Sequence, residues 1–104
     1  MIRAIVEHQA KTPEDAEKVI AIIRKIRDDI MRLPGYINGE TLINTEDKRN
    51  IIVISTWESL EKWNEWWESR EARQKLDEEA PFLAKPLSYC AYEYHHIMWM
   101  NNGT

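Results

Sequence analysis

The stretch from Asn50 to Trp57 constrains the fold more than any other part of the chain. It reads Asn-Ile-Ile-Val-Ile-Ser-Thr-Trp, which predicts a β-strand because β-branched residues dominate it. Side chains alternate between the two faces of a strand, so Ile51 and Val53 point one way while Ile52 and Ile54 point the other. Both faces are apolar, and both should therefore be buried.

Turn residues and helix signals divide the rest of the chain into a simple order of elements. Thr12 and Pro13 start a long amphipathic helix whose apolar stripe runs to Leu33, and Pro34 and Gly35 stop it. The predicted elements are a strand over 2–9, this helix, strands over 36–44 and 50–57, short helices over 59–68 and 70–79, and a long last strand over 87–100. The order β-α-β-β-α-β predicts a single α+β domain over 1–104 of the ferredoxin-like, split βαβ kind, with helices on one face of an antiparallel sheet.

The predicted sheet needs a cover on the face that carries no helix. Ile52 and Ile54 would otherwise form part of a large apolar patch in water, which monomers avoid. A second copy of the chain, related by a two-fold axis, is the simplest cover, so we predict a homodimer through the sheet face. The apolar end of the last strand, 95–100, is predicted to reach across to the other subunit; the alternative is that it folds back on its own sheet.

Composition narrows the classes of partner and compartment. The net charge is −4 at pH 7 and basic residues are mixed with acidic ones, so we expect no nucleic acid partner and no membrane partner. Cys90 is the one cysteine, which favours a reducing compartment. The apolar start, Ile2 to Val6, is too short for a signal peptide or a transmembrane span. We therefore expect a cytoplasmic protein.

The segment from Pro34 to Glu71 resembles the antibiotic biosynthesis monooxygenase domain family of the dimeric α+β barrel superfamily. The resemblance rests on three parts of the sequence: Pro34-Gly35-Tyr36 after the long helix, Trp57-Glu58-Ser59 at the step from strand to helix, and Trp66 with Ser69. It implies a cavity in each subunit between sheet and helices. Some members oxygenate polycyclic phenols or quinols with O₂ and no metal or flavin, others degrade heme, and others are isomerases or have no known reaction.

Two residues of the first strand are candidates for the base in such a reaction. His8 shares a strand face with Ile2, Ala4 and Val6, and if that face meets the helices it lies at the cavity mouth. A histidine there could take a phenolic proton and leave an electron-rich anion for O₂. The alternative is a surface histidine at a strand end. Glu7, on the opposite face, is a weaker candidate.

Aromatic and polar side chains supply candidates for ligand binding. The sequence has five tryptophans, more than a core of this size needs. Trp63, Trp66 and Trp67 lie within about one helical turn of each other and present a broad aromatic surface. Trp66 matches the helix tryptophan of the family and is the predicted cavity wall. Trp63 and Trp67 are also candidates for ligand binding, although their positions favour the core. Asn38 and Glu40 share a face of the second strand and could also meet a ligand.

The sequence has no metal motif, nucleophile motif or dinucleotide fingerprint. This absence is consistent with chemistry that needs no cofactor and equally with no chemistry at all. The resemblance implies that heme-degrading members carry an iron-binding histidine on the helix after Trp66, and here the helix over 70–79 has none. The leading hypothesis is a cofactor-independent monooxygenase acting on a planar phenolic or quinol-type molecule. The alternatives are a heme-binding or heme-degrading protein and a non-catalytic dimer that binds a small ligand.

Overall fold

Four strands and three helices follow one another in the predicted order. The protein is described by a computed structural model over residues 1–96. Its elements are β1 (Ile2–Gln9), α1 (Pro13–Ile30), β2 (Tyr36–Ile43), β3 (Asn50–Trp57), α2 (Leu60–Trp67), α3 (Arg70–Glu79), a 3₁₀ turn (Ala80–Phe82) and β4 (Ser88–Glu93). None of these helices is both long and apolar enough to cross a membrane.

The strands form one antiparallel sheet in the order β2-β3-β1-β4. At its centre, Val6 of β1 lies opposite Val53 of β3 on one side and Tyr89 of β4 on the other. This strand order with two helical crossovers confirms the predicted α+β, ferredoxin-like fold.

The helices begin where the sequence places side chains that can cap them. Thr12 Oγ1 accepts a hydrogen bond from the backbone N–H of Asp15 at 3.0 Å, and Ser59 Oγ accepts one from the N–H of Lys62 at 3.2 Å. Ser69 Oγ caps α3 in the same way and also donates to the Trp66 carbonyl at 2.7 Å. These contacts satisfy N–H groups that have no partner inside their helices.

The two faces of the sheet are divided as the alternation in β1 predicts. Ile2, Ala4, Val6 and His8 all face the helices and are buried. On the same side, Ile51 and Trp57 of β3 are almost fully buried. The apolar half of each central strand therefore forms the core against the helices.

The opposite, open face of the sheet has no cover within one chain. Ile5, Ile52 and Ile54 on the central strands are only partly buried, and the edge strands leave Leu42 47% and Tyr92 61% exposed. An apolar sheet face of this kind is what the homodimer prediction expected. The structure contains one chain, so the dimer stays a prediction.

A β-bulge in β2 changes which side chains face the helices. The pairing with β3 shifts between Tyr36 and Asn38, so that Tyr36 lies opposite Trp57 while Asn38 lies opposite Thr56. Ahead of the bulge Tyr36 faces the helices; after it, Gly39 does so. Asn38 and Glu40 share a strand face as predicted, but it is the open face.

Two predicted boundaries are wrong. Helix α1 ends at Ile30, and Leu33 lies in the turn that follows. Strand β4 ends at Glu93 opposite Ile2, and the N–H of Tyr94 makes a last hydrogen bond to the carbonyl of Met1 at 3.2 Å. Strand β1 offers no further partner, so 94–96 do not continue the strand. The predicted extension over 97–100, which includes Trp99, lies outside the described residues, and its crossing to another subunit stays a prediction.

Candidate active site

A cavity of about 300 Å³ lies between the helix-facing side of the sheet and the three helices. The sheet contributes Val6, His8, Val53 and Ser55 to its lining, and α1 closes one side with apolar residues that include Ile23. The volume is at the lower end of the range of about 300–1,000 Å³ that is typical of small-molecule sites. The space thus suits a small molecule.

Tryptophans from α2 form one wall of this cavity. Trp63, Trp66 and Trp67 all line it, as does Trp57 at the end of β3. The rings of Trp63 and Trp67 are stacked, with centroids 5.1 Å apart and planes 26° apart, and the Trp63 ring meets Trp57 edge-on at 5.9 Å. The three predicted tryptophans therefore lie together, with Trp63 and Trp66 buried and Trp67 half-buried.

The outer edge of the aromatic wall is fixed by groups outside the cavity. The Arg73 guanidinium lies 4.9 Å from the centre of the Trp67 ring and donates from Nε to the Trp67 carbonyl at 2.9 Å. On another side, the ring of Tyr89 on β4 lies 4.6 Å from the Trp67 ring. These contacts hold the Trp67 indole in one orientation at the cavity's edge.

A buried ionisable pair adjoins the cavity. His8 is 5% exposed and lines the cavity, and its Nδ1 is hydrogen-bonded to Oε1 of Glu79, which is 0% exposed. When Glu79 is ionised it only accepts hydrogen bonds, and in that form Nδ1 of His8 is the donor. The His8 nitrogen left for a ligand is therefore Nε2, which gives the cavity one basic atom.

Glu79 was not among the predicted site residues, although the apolar pattern of α3 marks its position as buried. Ala72 and Leu76 lie about one turn apart on α3 and form an apolar stripe, and the same stripe continues at Glu79, seven residues after Ala72. A charged residue in that place is either exposed by the helix end or paired in the interior. Its partner, His8, is 71 residues away in the chain, so only the fold identifies the pair.

The polar groups at the β2 side of the cavity complete the lining. Tyr36 and Arg27 both line it. Burial raises the pKa of the Tyr36 phenol, and the positive charge of Arg27 opposes this in part. The Tyr36 hydroxyl is thus a neutral group at neutral pH, able to donate or accept a hydrogen bond. Ser55 Oγ accepts from Nε1 of Trp57 at 2.9 Å, which orients that indole.

The remaining predicted site residues lie at the rim of the cavity or outside it. Glu7 is exposed on the open face and does not line the cavity. Asn38 is exposed and also lies outside the lining. Glu40 reaches the cavity rim, but its carboxylate accepts a hydrogen bond from Arg3 at 2.9 Å on the open face of the sheet. The fold therefore brings His8 and the three tryptophans together and separates Glu7 and Asn38 from them.

The sequence match agrees with this geometry. Residues 1–76 match the family model described as antibiotic biosynthesis monooxygenase. The chain belongs to this family. The match includes β1 with His8 and α2 with its three tryptophans, and it ends at Leu76, three residues before Glu79.

Solved structures share the fold of this family member. A Deinococcus radiodurans protein described as an antibiotic biosynthesis monooxygenase is 14% identical, with 98% of this chain and 100% of that one covered and a TM-score of 0.88. SnoaB of Streptomyces nogalater, a cofactor-independent oxygenase, is 10% identical, with coverages of 93% and 95% and a TM-score of 0.76. A monooxygenase from the ActVA-Orf6 gene of Streptomyces coelicolor, solved with nanaomycin D, is 14% identical, with coverages of 96% and 92% and a TM-score of 0.81. No curated protein matches the chain.

The cavity lacks the iron-binding histidine that the resemblance implies on the helix after Trp66 in heme-degrading members. Helix α3 has no histidine to ligate iron and turns Ala72 and Leu76 to the cavity instead. The described residues place one histidine in the lining, His8 on β1, and its Nδ1 is bonded to Glu79. Within residues 1–96 there is also no group of three or more His, Cys, Asp or Glu side chains that could hold a metal ion.

Proposed function

We propose that this protein is a cofactor-independent monooxygenase that acts on a planar phenolic or quinol-type molecule bound between sheet and helices. The observation that carries the proposal is a cavity that combines an aromatic wall with one buried basic nitrogen, the Nε2 of His8. Family membership supports an oxygenase, and SnoaB, described as a cofactor-independent oxygenase, has the same fold.

The tryptophans would bind the substrate through its flat rings. Aromatic rings prefer offset or edge-on contact with other aromatic rings, and each such pair contributes about 0.5–1.5 kcal/mol beyond the area it buries. Trp63, Trp66 and Trp67 offer several such contacts in a cavity of about 300 Å³. A molecule of two or three fused rings suits this wall better than a flexible chain of equal volume, which would lose more conformational freedom on binding.

The role of His8 would be to take the acidic proton of the substrate. Transfer of a phenolic proton to Nε2 leaves an electron-rich anion that can react with O₂ directly, so no metal or flavin is needed to begin the reaction. The surrounding apolar wall excludes water and strengthens the interaction between the anion and the new imidazolium. General base catalysis of this kind contributes about 10²–10⁴-fold in rate.

The test is O₂ uptake by the purified protein on a panel of hydroquinones and anthrones. We expect uptake with at least one of them and a loss of about 10²–10⁴-fold in kcat in His8→Ala. The control is His95→Ala, which removes a histidine that is exposed and outside the cavity. Uptake that survives His8→Ala would refute His8 as the base. Binding without uptake would leave a ligand-binding protein in place of an enzyme.

We also propose that the working form is a homodimer in which a second copy covers the open face. Ile54 lies near the centre of that face, on one of the two inner strands. Ile54→Arg should give a monomer by size-exclusion chromatography with light scattering, because an unpaired charge is costly to bury. The matched control is Leu60→Arg, an exposed leucine on α2 away from this face. A wild-type monomer would refute the dimer.

The predicted cytoplasmic location stays a prediction.

A further inference from the structure

We infer that Glu79 is the positioning residue that makes His8 a base, an inference that rests on the proposed function. Glu79 does not line the cavity and so acts through His8. It lies in the last turn of α3, where its Oε1 meets Nδ1 of His8 at the far end of β1. Two elements distant in the chain thus meet at this hydrogen bond.

The contact selects one form of the His8 ring. A neutral imidazole carries its proton on either Nδ1 or Nε2, and only the unprotonated nitrogen can act as a base. An ionised Glu79 can only accept, so it holds the proton on Nδ1 and leaves the lone pair on Nε2. When Nε2 takes the substrate's proton, the imidazolium lies beside a carboxylate that stabilises its charge. The proton passes from the substrate hydroxyl to Nε2, and the proton on Nδ1 stays where it is.

Stability alone gives no reason for a carboxylate at this position. Within residues 1–96, His8 and Glu79 are the two buried residues with an acidic or basic side chain. Oε2 of Glu79 has no hydrogen-bond partner there. A buried polar atom without a partner costs free energy, and a buried charge costs more. The neighbouring positions of the stripe, Ala72 and Leu76, are apolar. The arrangement is therefore explained by what Glu79 does to His8.

The pair also restricts the substrate. Because His8 supplies the basic nitrogen of the cavity, the substrate must place an ionisable hydroxyl next to Nε2 while its rings lie against the tryptophans of α2. A fused aromatic molecule whose hydroxyls are all methylated should bind against the same wall but give no reaction. The ligand class is thus a planar aromatic with a free, acidic hydroxyl.

The test reads the ring of His8 directly, by ¹⁵N NMR of the imidazole in the wild-type protein at a pH where the ring is neutral. We expect Nδ1 to be the protonated nitrogen and Nε2 the unprotonated one. In Glu79→Gln, whose amide can donate as well as accept, we expect the ring to populate the other form. The control is Glu78→Gln, which removes the adjacent and exposed carboxylate of the same helix. A neutral wild-type ring with its proton on Nε2 would overturn the inference. So would a ring that stays protonated on both nitrogens over the whole pH range in which the protein is folded.

Steady-state kinetics provide a second test, which distinguishes a positioning role of Glu79 from a purely structural one. Glu79→Gln should lower kcat by about 10²–10⁴-fold with little change in KM, because Glu79 does not touch the ligand. A rise in KM with kcat unchanged would overturn the positioning role. If the wild-type protein has the expected ring form but oxidises nothing in the panel, the pairing holds and the proposed function fails. The two ideas are therefore separable even if Glu79→Gln is too unstable to use, since the first measurement needs only the wild-type chain.

Discussion

The His8–Glu79 pair allows a sharp prediction about stability. Both side chains are buried, at 5% and 0% exposed, and each is the other's hydrogen-bond partner. Replacing one of them leaves the other as an uncompensated polar or charged group in a low-dielectric interior. Breaking a buried pair in this way costs about 3–5 kcal/mol. His8→Leu and Glu79→Met should each lower the free energy of unfolding by about that amount.

The double variant should behave quite differently. Leu and Met have volumes close to those of His and Glu, so His8→Leu with Glu79→Met replaces the pair by apolar packing and also removes the unpartnered Oε2 of Glu79. Such replacements are neutral or stabilising by about 1–4 kcal/mol. The double variant should thus be at least as stable as the wild type. Since each single variant costs about 3–5 kcal/mol, the coupling energy between the two sites should be about 6 kcal/mol or more in magnitude, above the usual range for contacting residues.

The assay is urea unfolding followed by tryptophan fluorescence, with all variants at one protein concentration because a dimer's stability depends on concentration. The controls are His95→Leu and Glu78→Met, which make the same changes at exposed positions and should shift the free energy by no more than about 0.5 kcal/mol. Single variants whose costs simply add in the double variant would refute the reasoning. A double variant several kcal/mol less stable than the wild type would show that the pair exists for stability, and would remove the argument for its function.

Three further predictions concern positions away from this pair. Gly35 has a φ of +91°, and a Cβ added there would lie 2.5 Å from Lys62 Cγ. Gly35→Ala should lower the free energy of unfolding by about 1–2 kcal/mol through the strained backbone alone. Lys62→Ala removes the clash with Cγ, so the backbone part of the loss should remain in the double variant. Burial raises the pKa of Tyr36. The neutral phenol therefore contributes fully to the free energy of unfolding below about pH 10, and this contribution is lost as the pH rises through the raised pKa. In urea titrations at alkaline pH, the free energy of unfolding of Tyr36→Phe should fall less steeply with pH than that of the wild type. Hydrogen bonds from Arg49 lower the pKa of Asp47 to about 2. The contribution of Asp47 to the free energy of unfolding is therefore present above about pH 4 and is lost as the pH falls to about 2. In Arg49→Gln, the pKa of Asp47 measured by ¹³C NMR should rise toward 3.8.

The parts of the fold that were predictable are those specified by residues close together in the chain. Ser59 and Ser69 cap the N–H groups three residues later, and Thr12 does the same for α1, so each helix start needs only a short stretch of sequence. The faces of β1 and β3 follow from alternation alone, which is why Ile51 and Ile54 were assigned to opposite sides correctly. The sheet order then follows from the few topologies that this order of elements allows.

The errors arose where one element depends on another. Strand β4 ends at Glu93 because β1 begins at Ile2, and the apolar composition of the following residues contains no information about that limit. The bulge after Tyr36 places Asn38 and Glu40 on the open face, although counting along β2 had correctly put them on one face. Gly39 permits this local shape, since a Cβ there would lie 2.7 Å from the Tyr36 hydroxyl.

The candidate site lay at two interruptions of otherwise apolar patterns. The helix-facing residues of β1 are apolar until His8, and the buried stripe of α3 is apolar until Glu79. Each interruption alone has an ordinary explanation, a strand end or a helix end where a polar side chain reaches water. The fold removes both explanations, because it buries the two side chains and joins them beside the cavity. A chain selected only for a stable core would keep apolar residues at both positions, so the meeting of two interruptions identifies the site better than either residue could.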